Sequence, residues 1–250
     1  MVTMVLSKLR TLTVVSDISS TIPLASTDFT VIQSPLWSIS LLVRRTPEAK
    51  PVIVSLKTSM RTAEVAPNPA NKVSGLLPNR MATTTAVLME RFAIQRLVFT
   101  GVAGGLAPHV RVGDVVVATQ FVQHDMDVRP LFTRWQVPGY SAVRLPCDTT
   151  LTAMLSGAVS AYLQSAGGHF DSELLAQPPR LHQGLVASGD QFVSCAQAAG
   201  ALRADLLAAG HDVLAVEMEG AAVAQVCHDY GVPLAALRTI SDRADDSAHV

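Results

Sequence analysis

From residue 81 onward the chain alternates between two hydrophobic rhythms. Apolar residues recur at helical spacing in MATTTAVLMERFAIQ (81–95), TTLTAMLSGAVSAYLQSAG (149–167), CAQAAGALRADLLAAG (195–210) and GAAVAQVCHDYG (220–231). These predict helices, the second stopping near Gly167 and Gly168 and the last at Gly231. Between them lie short β-branched runs: RLVFTGVAGG (96–105), VGDVVVATQFV (112–122), QGLVASGD (183–190), VLAVEME (213–219) and VPLAALRTISD (232–242). These predict strands, the first running into a glycine-rich turn and the second opened by a Gly-Asp turn. Strands alternating with helices predict an α/β fold, with a mostly parallel or mixed central sheet covered by helices.

The first 80 residues read differently. LTVVSDI (12–18), WSISLLVRR (37–45) and KPVIVSLKTS (50–59) are candidate strands, and AEVAPNPANKVSG (63–75) is loop-like with two prolines. Only Gly75 of the fifteen glycines falls here, beside eleven serines, and Lys and Arg outnumber Asp and Glu by nine to four. A βα-turn fold needs glycine where the backbone takes φ > 0 or approaches a ligand closely. The region is therefore read as an atypical opening, through a frame shift or a rebuilt N-terminus, to one domain spanning 1–250.

Composition narrows the function classes. With 250 residues, 49% apolar and 16% charged, the chain can bury a large core. No run of 18 apolar residues predicts a membrane span. Lys8 and Arg10 interrupt the apolar N-terminus, against a signal peptide. A net charge of −1 gives no reason to expect nucleic acid. Three widely spaced cysteines, Cys147, Cys195 and Cys227, suggest neither a disulfide framework nor a zinc knuckle, and a cytoplasmic setting is expected.

Ligands of α/β sheets bind beyond the carboxyl ends of strands. Four such ends carry polar or glycine-rich residues: Gly101-Val102-Ala103-Gly104-Gly105, Ser188-Gly189-Asp190, Glu217-Met218-Glu219 and Ser241-Asp242. Two carboxylates within the apolar run AVEMEGAAVAQVC need a partner or a ligand. One of them is explained as a helix cap, and the other suits a vicinal diol such as that of ribose. Arg238, in an apolar strand, requires a buried partner, for which Glu217 is a candidate. Asp242 is either an N-cap or a catalytic acid. Phe192 belongs either to the core or to a base-stacking site. The turn TGVAGG either cradles a phosphate or packs against a flat ring. QHDMD (123–127) has residue types that bind metal but reads as solvated or structural, so no metal is expected.

Taken together, FTGVAGGLAPHVRVGDVVVA, SGDQFV, AVEMEGAAVAQVC and VPLAALRTISDRAD resemble the 5′-methylthioadenosine/S-adenosylhomocysteine nucleosidase family, of the nucleoside phosphorylase superfamily. The similarity runs from about Ala82 to Val250, with the motifs in family order. It implies a nucleoside phosphorylase-like fold and hydrolysis of the N-glycosidic bond of both thio-nucleosides, releasing adenine, with no cofactor. By the same resemblance, Asp242 protonates N7 of adenine and Ser241 orients it. Glu219 binds the ribose hydroxyls with Met218 against the sugar, and Glu217 supports the site with Arg238. Phe192 and Val193 hold the base, and Val102, Ala103 and Gly104 line the floor. The family is homodimeric, and Val128 and Leu131 fall where it lends apolar residues to the neighbouring site.

The sequence also departs from the family pattern. LTVVSDISSTI (12–22) lacks the glutamate that activates water in the family, and Asp17 is the nearest acid. SGLLPNRMATTT (74–85) lacks the Gly-Lys-Val turn. The family's C-terminal lid helix is expected to be missing beyond Val250. A phosphorylase of the same fold, and a nucleoside-binding homologue without turnover, are the alternatives.

Overall fold

The computed structural model describes residues 27–34, 37–45, 51–60, 77–165 and 177–245. Its elements are β1 (Thr27–Ser34), β2 (Trp37–Arg45), β3 (Pro51–Met60), α1 (Leu77–Phe92), β4 (Leu97–Gly105), β5 (Val115–Gln123), β6 (Arg144–Pro146), α2 (Thr149–Ser165), β7 (Leu181–Ser188), α3 (Ala196–Ala208), β8 (Val213–Glu217), α4 (Gly220–Asp229) and β9 (Leu234–Asp242).

The nine strands among the described residues join one mixed sheet. β4 pairs parallel with β9, β9 antiparallel with β5, β5 parallel with β7, and β7 parallel with β8. β8 then returns antiparallel to β4 through Gly104↔Val216 and Gly105↔Ala215, closing a ring of five strands. Closure removes the open edges these strands would otherwise expose. β3 attaches outside the ring, parallel to β4, and carries β2 and β1 antiparallel beyond it. WSISLLVRR and KPVIVSLKTS are thus strands as read. Asp17, LTVVSDI and AEVAPNPANKVSG lie outside the described residues, as does the terminus after Asp245.

The ring strands carry long buried runs, Val115–Ala118 and Leu234–Ile240 among them, the latter apolar except for Arg238 and Thr239, because neighbouring elements cover both faces there. Helix ends follow local chemistry. The Asp148 carboxylate accepts the Leu151 N–H at 2.7 Å and caps α2. Gly231, at φ 63°, ends α4. TGVAGG is not a turn: it completes β4, its backbone paired with β9 as far as Gly104 and with β8 at Gly104 and Gly105. Among the described residues, no helix is long and apolar enough to cross a membrane.

Candidate active site

The site forms where the ring closes. Strand register sets Gly104 beside both Asp242 and Val216, and Ser188 beside Glu217. Three of the four strand ends singled out in the sequence therefore meet at β4, and the fourth adjoins through β8. Gly104 permits this approach: a Cβ there would stand 2.9 Å from Asp242 Oδ1 and 2.8 Å from the Ala244 methyl. Ala103 beside it is buried, whereas Val102 presents an exposed apolar surface.

The two glutamates have separate fates. Glu217, the last residue of β8, is buried and accepts from Arg238 Nη2 at 2.7 Å and Nε at 3.2 Å. The same carboxylate accepts the backbone N–H of Gly220, at 2.9 Å from each oxygen, and that of Glu219 at 3.2 Å. It thereby satisfies donors at the start of α4 that no helical carbonyl can reach. Arg238 is 1% exposed, donates to the Leu237 carbonyl at 3.0 Å and lies 4.0 Å from the centre of the Phe99 ring. The capping carboxylate is thus Glu217, two residues before the N-cap position.

Glu219 occupies that N-cap position, yet its side chain makes no capping hydrogen bond. With Met218 it is partly exposed at the head of α4. Desolvation, reinforced by the nearby Glu217 charge and opposed by Arg238, pushes its carboxyl up to about 7. It is a carboxylate at a helix N-terminus that accepts a backbone hydrogen bond from Met218 but makes none to the helix itself.

Asp242 is aimed through both oxygens. Ser241 Oγ donates to Oδ2 at 2.7 Å, and the Ala244 N–H donates to Oδ1 at 2.7 Å. Ala244 adopts φ 53°, a left-handed conformation uncommon for alanine, with its methyl buried in the core. Arg243 holds the following turn down through the carbonyls of Ala107, at 2.9 Å, and Val110.

β7 delivers the last component. Ser188 Oγ accepts the Ala221 N–H at 3.0 Å, and the Gly189 N–H donates to the Glu217 carbonyl at 3.2 Å. The chain then turns outward to Phe192, which is 59% exposed, while Val193 packs against the core. Val128 and Leu131 stand apart, on the connection from β5 to β6, joined by a 3.1 Å backbone hydrogen bond, with Leu131 82% exposed.

Sequence reasoning passed over His124 and Asp125, read as solvated or structural within QHDMD. His124 is buried at the end of β5, and burial lowers the pKa of its imidazole below the usual value. The Asp190 N–H donates to Asp125 Oδ2 at 2.5 Å. Their proximity to SGDQF depends on the β5–β7 pairing, which no local pattern announces. Among the described residues, no group of three or more His, Cys, Asp or Glu side chains is arranged to hold a metal.

The family model described as "Phosphorylase superfamily" matches residues 36–250. A 5′-methylthioadenosine/S-adenosylhomocysteine nucleosidase of Anoxybacillus flavithermus is 36% identical over 178 residues, 71% of this chain and 68% of the relative. An aminodeoxyfutalosine nucleosidase of Helicobacter pylori is 36% identical over 66% of this chain and 63% of its own. The chain thus spans about two-thirds of the length of these relatives. Among solved structures, an S-adenosylhomocysteine nucleosidase of Streptococcus pyogenes, in complex with 5-methylthiotubericidin, superposes with a TM-score of 0.60 at 26% identity. That match covers 90% of this chain and 78% of the other. A 5′-methylthioadenosine/S-adenosylhomocysteine nucleosidase of Neisseria meningitidis superposes with a TM-score of 0.59 at 27% identity, over 89% and 80% of the two chains. The chain belongs to the phosphorylase superfamily, and within it to the nucleosidase type.

Proposed function

We propose that this protein hydrolyses the N-glycosidic bond of 5′-methylthioadenosine and S-adenosylhomocysteine, releasing adenine, and works as a cytoplasmic homodimer. The observation that carries this reading is the division of labour among the acids. Arg238 and α4 occupy Glu217, whereas Glu219 and the doubly held Asp242 remain for a ligand.

In this reading the purine lies between Phe192 and the β4 floor of Val102, Ala103 and Gly104, with Val193 meeting its edge. Asp242 gives its proton to N7 as the carbon–nitrogen bond breaks and its electron pair moves into the ring. Glu219 accepts the two ribose hydroxyls, with Met218 against the sugar, and its charge favours the cationic sugar of the transition state. Water forms the new bond to the anomeric carbon. The base that takes the water's proton is not assigned to a described residue. Val128 and Leu131 meet the 5′ substituent in the partner subunit. The names of the relatives add aminodeoxyfutalosine as a further substrate to compare.

The test is adenine release from all three nucleosides in phosphate-free buffer. Asp242→Asn is expected to lower kcat about 10²- to 10⁴-fold while KM changes little, as for loss of a general acid. Release that requires added phosphate would reassign the protein as a phosphorylase. Tight nucleoside binding without turnover would make it a binding protein.

A further inference from the structure

Beside the strand end that leads to Phe192 lies a polar seat that the proposed reaction does not use. At the end of β5, His124 is 7% exposed and its backbone N–H donates to the Ser188 carbonyl at 3.0 Å. Its Nε2 and Asp125 Oδ1 are buried and have no hydrogen-bond partner among the described residues. The other Asp125 oxygen accepts the Asp190 N–H at 2.5 Å. Gly189 is clasped between them: a Cβ there would stand 2.6 Å from His124 Nε2 and 2.8 Å from both Asp125 Cγ and Oδ1. The segment from Ser188 to Asp190 is therefore held by three consecutive contacts, the middle one open only to glycine. Two residues farther on stands Phe192.

We propose that Asp125 is a positioning residue: with His124 it fixes the Ser188–Asp190 backbone and so sets where Phe192 and Val193 meet the purine. This rests on reading the pocket as an adenine nucleoside site. The linkage is mechanical. Phe192 follows the held segment by two residues, so the course of the Ser188–Asp190 backbone sets where its ring enters the site. A carboxylate accepting a short N–H bond is a stronger tie than a neutral acceptor. The ribose reader Glu219 stands instead at the head of α4, which Glu217 and Arg238 hold, and among the described residues Asp125 makes no hydrogen bond to any of these three. Asp125 is consequently expected to govern affinity for the base and to leave affinity for the sugar alone.

The experiment compares adenine and 5-methylthioribose binding to the full-length protein, together with kcat and KM for 5′-methylthioadenosine. In Asp125→Ala the dissociation constant for adenine and the KM are expected to rise about tenfold, the size of one lost charge-assisted hydrogen bond. Affinity for 5-methylthioribose and kcat are expected to stay within about twofold. Asp125→Asn, which keeps an acceptor for the Asp190 N–H, is expected to recover most of the loss. Should Asp125→Ala fail to fold, Gly189→Ala gives the same reading, since its added methyl displaces the segment while Asp125 remains. Unchanged adenine affinity in a folded variant, or equal weakening of both ligands, overturns the proposal. If the wild-type protein itself neither binds nor releases adenine, the nucleoside reading fails first and takes this inference with it.

Discussion

With its carboxyl pushed up to about 7, Glu219 changes charge near neutral pH. A diol is best held by the ionised form, which offers two acceptor oxygens. Substrate capture should therefore strengthen as pH rises through 7, giving kcat/KM an ascending limb there. Glu219→Gln is expected to abolish that limb and to lower kcat/KM about 10²-fold. Stability runs the other way. A carboxyl raised above its ordinary 4.5 by folding contributes its full stability below 4.5 and loses it as pH rises through the folded value. Glu219→Gln is thus expected to melt above the wild-type protein at pH 8, with the gap shrinking toward pH 5. Thermal scans at the two pH values check the sign. The sequence showed that two acids so close together needed different explanations. It did not show which one capped the helix, because strand periodicity lapses where β8 stops at Glu217 and Glu219 takes the N-cap position.

At the scale of elements, Glu217 and Arg238 hold β8, β9 and α4 together. Removing one member of a buried ion pair strands the other charge and typically costs about 3–5 kcal/mol. Glu217→Gln and Arg238→Met are each expected to lose about that much in urea unfolding, and the double variant less than the sum. A strictly additive double variant would show that the pair is not coupled. The long elements were legible because apolar periodicity persists through them, as in β5, β9 and α4. β1, polar at many positions, and β6, with three residues, offered too little pattern. The run GVAGG misled for a physical reason. Its glycines serve close approach between strands rather than chain reversal, a distinction that lies in the partners Asp242 and Ala244 and not in the run itself.

Across the whole molecule, the five-strand ring and its outer arm are unequally secured. Each ring strand is hydrogen-bonded on two sides, whereas β3 meets β4 over four paired residues, Val54–Lys57 against Leu97–Thr100. Local opening follows such differences. Amides of β1 and β2 are expected to exchange with solvent faster than those of β5 and β9, and hydrogen exchange resolved by segment measures it. Equal protection would show that arm and ring open together. Ring closure itself was not legible from the sequence, since Gly104↔Val216 joins residues more than a hundred positions apart. The Glu217–Arg238 contact also reaches beyond the single molecule. A domain's whole margin is about 5–15 kcal/mol, and losing either partner alone consumes a large part of it. In a population of descendants the two codons are therefore bound together. A lineage that changes one is driven to restore it or to replace its mate, and the pair should pass through inheritance as one character.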